Sequence, residues 1–253
     1  MDKSTFDLLV WGWIVIAIVL VPVQLKITAP YGRHVKDNWG PLIDNRLGWI
    51  IMEIISPIVF AIFFLQGKDH SIVNYLFFWI WMIHYFNRSV IFPLRTKTTG
   101  KKIPITIVLS AIFFNVVNGG INGYFFGHIG KYTTDWFLQI NFWIGAVVFL
   151  TGFFINLQSD QILISLRKGK ERGYKIPHGG LFKYISCPNH FGEMVEWAGF
   201  AIMAWSLPAF SFALWTIANL LPRAMSHHRW YKNYFKEYPN CLLYTSPSPR
   251  DRG

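Results

Sequence analysis

The stretch FNVVNGGINGYFF, residues 114–126, indicates which kind of fold this chain has. It lies in an apolar region long enough to cross a bilayer, yet it contains Asn115, Asn118 and Asn122 together with three glycines. Amide side chains in a membrane helix either bond to a neighbouring helix or line a cavity, and both interpretations stay open here. The glycines predict close approach of another helix.

Apolar runs recur along the chain from its first residues to about residue 222, and 53% of the 253 residues are hydrophobic while only 15% are charged. A bilayer core of about 30 Å needs about 20 mostly apolar residues per helix. We therefore predict an all-α integral membrane protein with seven transmembrane helices in a single bundle, the last two divided at Ser206-Leu207-Pro208. The predicted spans are 7–25, 47–66, 72–93, 103–124, 136–157, 190–206 and 209–222.

The formal charge of +11 raises the question of a nucleic-acid partner, but the positions of the basic residues indicate a topology instead. Clusters of Lys and Arg fall in alternate connections and at the carboxyl end, whereas the other connections hold at most a single lysine. By the positive-inside rule the amino terminus lies outside and the carboxyl terminus in the cytosol. The expected partner is the lipid bilayer, with no nucleic acid, in a bacterial inner membrane or, in a eukaryote, the endoplasmic reticulum. The basic regions, which we expect to form cytosolic loops, are 26–46, 94–102, 158–189 and 223–240.

Cysteine usage and the ends of the chain complete the outline. Cys187 and Cys241 lie on the predicted reducing side, so we expect no disulfide, and the sequence has neither a CxxC pair nor a zinc-ligand spacing. The first apolar run lacks the flanks of a cleavable signal peptide and is predicted to be a retained span. Residues 1–240 are predicted to form one domain, and the polar stretch CLLYTSPSPRDRG at 241–253 a non-native or disordered tail.

Polar and ionisable residues collect on the predicted cytosolic side of the spans. Ionisable groups cost about 2.5 to 3.5 kcal/mol on insertion into a bilayer and normally face a bundle interior or a wet cavity. Residues three, four or seven apart share a helix face, so these stripes can converge on one cavity if the helices continue into the cytosol. The residues concerned are Glu53 and the stripes His84/Arg88, Asn156/Asp160/Arg167, Asn189/Glu193/Glu196 and Arg223/His227/Tyr231.

Structural interpretations of single residues remain open beside the functional ones. Arg88 could form a structural pair with Glu53 or Glu196, and the loop lysines could serve topology and lipid headgroups. The two adjacent glycines of NGGING lie in a predicted span rather than after a strand, so they do not constitute a dinucleotide-binding fingerprint.

The segment YKIPHGGLFKYISCPNHFGEMVEWAGF (174–200), followed by AWSLPAF and PRAMSHHRWYKNYFKEYP, resembles the steroid 5α-reductase family, most of all its type 2 enzymes. The carboxyl-terminal pattern is shared in part with isoprenylcysteine methyltransferases, but the upstream motifs narrow the resemblance. These motifs are YGRH (31–34), MEIISP (52–57), HYFNRS (84–89) and GFFINLQSDQILISLRK (152–168).

The resemblance implies a seven-helix membrane enzyme that reduces the Δ4 double bond of 3-oxo-Δ4 steroids with NADPH. It places Glu53 and Tyr85 as the pair that engages the steroid 3-ketone. Lys175 stands where relatives have arginine, which weakens the expectation of 2′-phosphate selection. We also expect a monomer whose steroid substrate enters from the membrane. Positions matched to the cofactor or its cavity are Tyr31, His84, Arg88, Asn118, Asn156, Asp160, Arg167, Lys175, Asn189, Glu193, Arg223, His227 and Tyr231.

Two other functions compete with this interpretation. A membrane methyltransferase that uses S-adenosylmethionine would share the carboxyl-terminal pattern but would not explain Glu53 with His84 and Tyr85. A non-catalytic transporter of lipid or solute would be expected to carry charged groups near the bilayer midplane or on both sides. The crowding of polar residues on one side favours the reductase.

Overall fold

The computed structural model of the protein describes residues 1–36, 38–166 and 173–239. Arg167, Cys241 and the tail 241–253 lie outside the described residues. Two π-helical turns, Asn87–Ile91 and Phe125–Ile129, join α3 to α4 and extend α5. The regular elements are α1 Lys3–Lys26, β1 Leu42–Asp44, α2 Asn45–Leu65, α3 Ile72–Phe86, α4 Phe92–Arg95, β2 Lys102–Pro104, α5 Ile105–Tyr124, α6 Ile140–Ser165, α7 Pro188–Ala204 and α8 Leu207–Tyr234.

Helices occupy all seven positions that the hydropathy pattern predicted. Four of the described helical segments are long and apolar enough to cross a membrane: Lys3–Lys26, Asn45–Leu65, Ile105–Ile129 and Ile140–Ser165. The break between the last two helices is where it was expected, since Trp205 adopts the left-handed conformation with φ 46° and the Ser206 hydroxyl caps the first turn of α8.

Two of the expected loops are partly helical, which corrects the predicted boundaries. Helix α6 continues to Ser165, into the region 158–189, and α8 continues to Tyr234, into the region 223–240. Hydropathy marks where a helix leaves hydrocarbon, whereas its end depends on backbone hydrogen bonds and caps. The polar stripes were predicted only if these helices continue beyond the apolar spans, and both helices do so.

A short β-ribbon departs from the all-α prediction. Strands β1 and β2 pair antiparallel, with Ile43 opposite Ile103 and Asp44 opposite Lys102. Ile103 is fully buried in this ribbon, and Asp44 caps α2 by accepting hydrogen bonds from the backbone N–H groups of Arg46 and Leu47. The β-branched isoleucines favour the extended backbone just before each helix begins.

The described residues group into two compact units. Unit 1 holds Met1–Val10 and Ala29–Phe142, and unit 2 holds Trp11–Thr28 and the described residues from Trp143 onward. Neither unit is continuous in the chain, and the prediction of one domain over residues 1–240 stays a prediction.

Unit 1 is built around a close contact between α2 and α5. A Cβ atom added at Gly119 would lie 2.8 Å from the Ser56 carbonyl oxygen, and one at Gly123 would lie 2.5 Å from that of Phe60. The same glycine face continues to Gly127, which meets the backbone of Phe63 and Phe64. Glycines spaced four apart thus bring the two backbones together, as the opening stretch of sequence predicted.

The start of α3 is tied to the end of α5 by one buried side chain. Asn74 donates from Nδ2 to the carbonyl oxygens of Phe126 and Gly130, each at 2.8 Å. Its Oδ1 also accepts from the Ser71 backbone N–H, which completes a capping box at the start of α3. Asn74 therefore satisfies carbonyl groups that the π-helical turn leaves open.

Unit 2 contains a second glycine contact, between α6 and α7. Gly152 of α6 packs on the backbone of Gly192 and Glu196, and Gly199 of α7 packs on the backbone of Gly145 and Phe149. The two glycines on each helix are seven residues apart and therefore lie on one face, with room for no Cβ atom. This contact holds the predicted polar stripes of α6 and α7 next to each other.

Within unit 2, α1 also pairs with α8. The Trp215 indole donates to the Trp13 carbonyl oxygen at 3.0 Å, and Gln24 donates to Asn219 at 3.0 Å. Polar side chains thus bridge these two helices.

Candidate functional site

The register of α2 against α3 is fixed by two pairs of side chains in unit 1. Trp49 donates from Nε1 to the Arg88 carbonyl oxygen at 3.2 Å. Further along α2, the rings of Phe60 and Trp81 stack with centroids 4.8 Å apart. Since a later α2 residue meets an earlier α3 residue, the two helices run antiparallel.

This register brings the two predicted catalytic residues to one level. Glu53 lies one helical turn after Trp49, and Tyr85 lies three residues before Arg88. On antiparallel helices, Glu53 is therefore level with the turn that contains Tyr85 and Arg88. Glu53 is half-buried, and Tyr85 is only 4% exposed.

The backbone that carries Tyr85 is irregular directly after it. The Phe92 N–H bonds to the Asn87 carbonyl oxygen in a π-helical turn. Pro93 has no N–H to offer the preceding turn of a regular helix, which accounts for the irregularity there. The Ser89 hydroxyl donates to the Tyr85 carbonyl oxygen at 2.6 Å. π-Helical turns of this kind occur frequently at functional sites.

Three further predicted residues of unit 1 lie on the elements that carry Glu53 and Tyr85 or pack against them. His84 is 3% exposed, and its ring lies 5.1 Å from that of Tyr85. The Arg88 guanidinium carbon lies 5.3 Å from the Trp49 ring and 5.1 Å from the Phe92 ring, in the range of cation–π contact. Tyr31 packs against the buried cluster that contains Met52 and Ile103.

The asparagines of α5 have different partners. Asn115 donates from Nδ2 to the Met52 carbonyl oxygen of α2 at 2.6 Å. This is an interhelical hydrogen bond, the first of the two roles that the sequence left open for these asparagines. Asn118 and Asn122 donate instead to carbonyl oxygens of their own helix, those of Phe114 and Asn118. The buried Oδ1 of Asn122 has no hydrogen-bond partner among the described residues. Asn115 thus joins helices, while the cavity interpretation stays a prediction for Asn118 and Asn122.

In unit 2 the structure brings three predicted nucleotide-binding residues together. Asn156 donates from Nδ2 to the Asn189 carbonyl oxygen at 3.0 Å, and Asn189 donates from Nδ2 to Asp160 Oδ1 at 3.3 Å. Asn156 and Asp160 are one turn apart on α6 and almost fully buried, and Asn189 begins α7. This amide and carboxylate cluster sits directly beside the glycine contact of α6 and α7.

The stripe on α8 is present as predicted. Arg223 and Tyr231 are 7% and 3% exposed, while His227 is half-buried with its ring 5.5 Å from that of His190 on α7. On α7, Glu193 is half-buried.

Two predicted cofactor-binding residues, Lys175 and Arg167, are not among the buried or half-buried residues that the structure describes at this site. Lys175 is exposed. Arg167 lies outside the described residues, so its place in the α6 stripe stays a prediction.

One group of buried polar residues was missed by the sequence analysis. The Ser186 hydroxyl lies 2.6 Å from His228 Nδ1, and the Tyr238 hydroxyl donates to Ser186 Oγ at 2.8 Å. These residues are 42 and 52 positions apart in sequence, so no helical spacing could reveal them.

Comparison with known proteins identifies the family. The family model described as 3-oxo-5-alpha-steroid 4-dehydrogenase matches residues 101–242. The steroid 5-alpha-reductase DET2 of Gossypium hirsutum is 39% identical over 238 residues, which cover 88% of this chain and 90% of the relative. The chain belongs to the steroid 5α-reductase family.

Other members of the family agree over nearly the whole chain. The steroid 5-alpha-reductase DET2 of Arabidopsis thaliana is 42% identical over 229 residues, 86% of each chain. The 3-oxo-5-alpha-steroid 4-dehydrogenase 1 of Rattus norvegicus is 37% identical over 241 residues, 94% of this chain and 93% of the relative. The steroid 5α-reductase family consists of oxidoreductases, so this chain is an oxidoreductase. Its apolar helices fit a membrane protein. The resemblance to type 2 enzymes in particular stays a prediction.

The polar cluster of unit 2 fits the nicotinamide nucleotide that this family uses. Side-chain amides and a carboxylate, as in Asn156, Asn189 and Asp160, suit ribose hydroxyls and a carboxamide, and the almost buried guanidinium of Arg223 suits a phosphate. The donor set on α6, α7 and α8 is therefore of the right chemistry.

Proposed function

We propose that the protein reduces the Δ4 double bond of 3-oxo-Δ4 steroids, testosterone- or progesterone-like, to 5α-dihydro steroids with NADPH. The observation that carries the proposal is the register of α2 and α3, which sets Glu53 level with the buried Tyr85 in a member of this enzyme family. The same observation favours the reductase over a methyltransferase or a transporter, because neither alternative requires this pair.

The reaction requires a hydrogen-bond donor at the steroid 3-ketone. NADPH, when bound, supplies the hydride that reaches C5 of the conjugated enone. Negative charge then develops on the C3 oxygen, and the Tyr85 hydroxyl donates a hydrogen bond to it. The resulting enolate takes a proton at C4, supplied ultimately by water, which restores the 3-ketone and completes the addition of two hydrogens. Donors placed where charge develops in the transition state contribute about 2.7 to 4 kcal/mol each. Glu53 contributes a second donor in its protonated form, or positions Tyr85.

The irregular turn after Tyr85 supports this role. Ser89 holds the Tyr85 carbonyl oxygen, and Trp49 holds that of Arg88, so the backbone on the carboxyl side of Tyr85 is anchored twice. A donor fixed by its surroundings loses little on reorganising during the reaction. His84 packs against the Tyr85 ring from the adjacent position.

The nucleotide is assigned to two groups of residues. In unit 2 the amide and carboxylate cluster takes the nicotinamide and ribose portions, and Arg223 and Arg167 with Lys175 take the phosphates. From the family resemblance we also propose Tyr31, His84, Arg88 and Asn118 of unit 1 as cofactor-binding residues. The full set in unit 2 is Asn156, Asp160, Arg167, Lys175, Asn189, Glu193, Arg223, His227 and Tyr231.

We further propose the topology that the charge pattern predicted. The protein crosses the membrane seven times with its amino terminus outside, works as a monomer, and opens its active site to the cytosol. Exposed apolar side chains support a place in the bilayer, among them Leu8 at 72% on α1 and Val147 at 63% on α6. The steroid enters from the bilayer, in a bacterial inner membrane or the endoplasmic reticulum.

The deciding experiment is NADPH oxidation by detergent-purified protein with and without a 3-oxo-Δ4 steroid, with the product identified by mass. A product heavier by two hydrogens that requires NADPH and Tyr85 supports the proposal. Binding of S-adenosylmethionine with no binding of NADPH would overturn it in favour of the methyltransferase.

A further inference from the structure

Three buried side chains form a hydrogen-bonded chain in unit 2 that the proposed reaction does not use. The Tyr238 hydroxyl donates to Ser186 Oγ at 2.8 Å, and Ser186 Oγ lies 2.6 Å from His228 Nδ1. Ser186, His228 and Tyr238 are 2%, 8% and 5% exposed. Buried polar groups that satisfy one another in this way hold a fixed arrangement of the backbone around them.

The protons of the chain follow from the chemistry of its members. Because Tyr238 donates to Ser186 Oγ, the hydrogen of the Ser186 hydroxyl is free to point to His228 Nδ1. We assign to His228 the tautomer with its hydrogen on Nε2, in which Nδ1 accepts from the Ser186 hydroxyl.

Each member of the chain adjoins a residue that we assign to the nucleotide. Ser186 lies three positions before Asn189, and the intervening Cys187 places its Sγ 3.9 Å from the Ala224 carbonyl oxygen of α8. His228 directly follows His227 on α8. The Tyr238 ring stacks on Tyr231 with centroids 5.0 Å apart and planes at 6°.

The chain therefore connects three segments of unit 2 at a single point. It joins the segment before α7, the carboxyl-terminal half of α8 and the segment that follows α8. At the same end of α7, Asn189 meets Asn156 and Asp160 of α6. The hydrogen bonds of Ser186, His228 and Tyr238 therefore hold the start of α7 against α8, and Asn189 connects the start of α7 to α6.

We propose that Ser186, His228 and Tyr238 are positioning residues that set the nucleotide-binding geometry of α7 and α8. This inference rests on the proposed function. Hydrogen bonds to a ligand weaken steeply when their distance or angle is disturbed, so small movements of the helix ends should weaken nucleotide binding. The steroid-polarising pair Glu53 and Tyr85 lies in unit 1 and should be unaffected.

The test compares kinetic constants of Ser186→Ala, Tyr238→Phe and the double variant with those of the wild type. We expect each single variant to raise the KM for NADPH about tenfold, with the steroid KM and kcat within about twofold. The double variant should be no worse than Ser186→Ala alone, because both substitutions break one chain.

Two substitutions of His228 test whether the acceptor at the position of Nδ1 is what nucleotide binding requires. In His228→Asn the side-chain amide oxygen can occupy the position of Nδ1 and accept from Ser186, whereas His228→Leu keeps the volume and offers no acceptor. The NADPH KM of the asparagine variant should return to within about threefold of the wild type, and that of the leucine variant should not.

The matched control is Phe212→Leu, which alters a buried contact with Trp197 elsewhere in unit 2. It should lower the melting temperature as much as Ser186→Ala does and leave the NADPH KM unchanged. An equal rise in both substrate KM values, additive losses in the double variant, or the same KM change in Phe212→Leu would overturn the proposal.

Direct titration of NADPH separates this inference from the proposed function. Wild-type protein that binds NADPH, with an unchanged Kd in Ser186→Ala, would overturn the positioning role alone. Wild-type protein that binds no nicotinamide nucleotide would overturn both. A Kd that rises about tenfold in Ser186→Ala supports the positioning role even where the preferred steroid differs from those tested.

Discussion

Trp49 donates a hydrogen bond from its indole Nε1 to the Arg88 carbonyl oxygen at 3.2 Å, which ties the first half of α2 to the π-helical turn after Tyr85. The Arg88 guanidinium returns over the Trp49 ring, with its carbon 5.3 Å from the ring centroid. One residue pair thus fixes both the backbone and the side chain at the level where Glu53 lies. Together with the stacking of Phe60 on Trp81, this pair gives the antiparallel register that supports the assignment of Glu53 and Tyr85.

Substitution of the two predicted catalytic residues should have unequal effects. Tyr85→Phe removes the hydroxyl donor, and we expect kcat to fall about a hundred- to a thousandfold. In Glu53→Gln the side-chain amide still offers a donor, so this variant should retain a larger share of the activity. Steady-state kinetics at saturating NADPH measure both effects.

The matched control for this comparison is Tyr75→Phe, at the other end of α3, where the side chain is 41% exposed. It should leave kcat unchanged. Negligible losses in both Tyr85→Phe and Glu53→Gln would show that the pair does not polarise the steroid ketone.

Glycines of α5 should differ according to what faces them. Gly123→Ala places a Cβ 2.5 Å from the Phe60 carbonyl oxygen, so α2 must move away and the melting temperature should fall markedly. Gly120→Ala meets side chains at ordinary contact distance, the Phe63 ring at 3.4 Å and Val59 Cγ1 at 3.8 Å, and should be neutral or stabilising by up to about 1 kcal/mol. Equal melting temperatures in detergent would contradict the close contact of α2 with α5.

The asparagines of the opening stretch should separate into structural and functional groups. Asn115→Ala removes the hydrogen bond to the Met52 carbonyl oxygen and should cost about 0.6 to 1.7 kcal/mol of stability, with little change in the NADPH KM. Asn118→Ala should instead raise the NADPH KM. Thermal unfolding and kinetics of both variants are compared, and the reverse pattern would assign the cavity to Asn115.

The positions of the helices could be predicted because bilayer thickness, hydropathy and basic loops constrain them directly. The polar stripe of α8 was predictable for the same reason, since Arg223, His227 and Tyr231 share a face whenever the helix continues. The β-ribbon was not, because three residues such as Leu42–Asp44 are too short to show an alternating pattern.

Contacts between distant segments could not be predicted from the sequence either. Asn189 meets Asp160 where the glycine contact brings α6 and α7 together, and Ser186 meets His228 where the segment before α7 packs on α8. The hydropathy pattern treats Gly152 and Gly192 as ordinary members of a span and does not show which helix each one faces.

Disruption of the unit 2 cluster should act through the cofactor. We expect Asp160→Asn, which removes the charge that accepts from Asn189, and Arg223→Gln to raise the NADPH KM by about tenfold or more, with a smaller effect on the steroid KM. The two KM values are measured separately, each with the other substrate saturating. A selective rise in the steroid KM would place this cluster at the steroid instead.

Lys175 allows a test of 2′-phosphate selection. The side chain is exposed, and a lysine presents a point charge where an arginine would present a planar fork suited to phosphate. Lys175→Arg should therefore lower the KM for NADPH about fivefold while the KM for NADH stays unchanged, since only NADPH carries the 2′-phosphate. Lys183→Arg, another exposed lysine of the segment before α7, is the matched control and should change neither constant. A parallel fall in both KM values for Lys175→Arg would place Lys175 near a phosphate that the two nucleotides share.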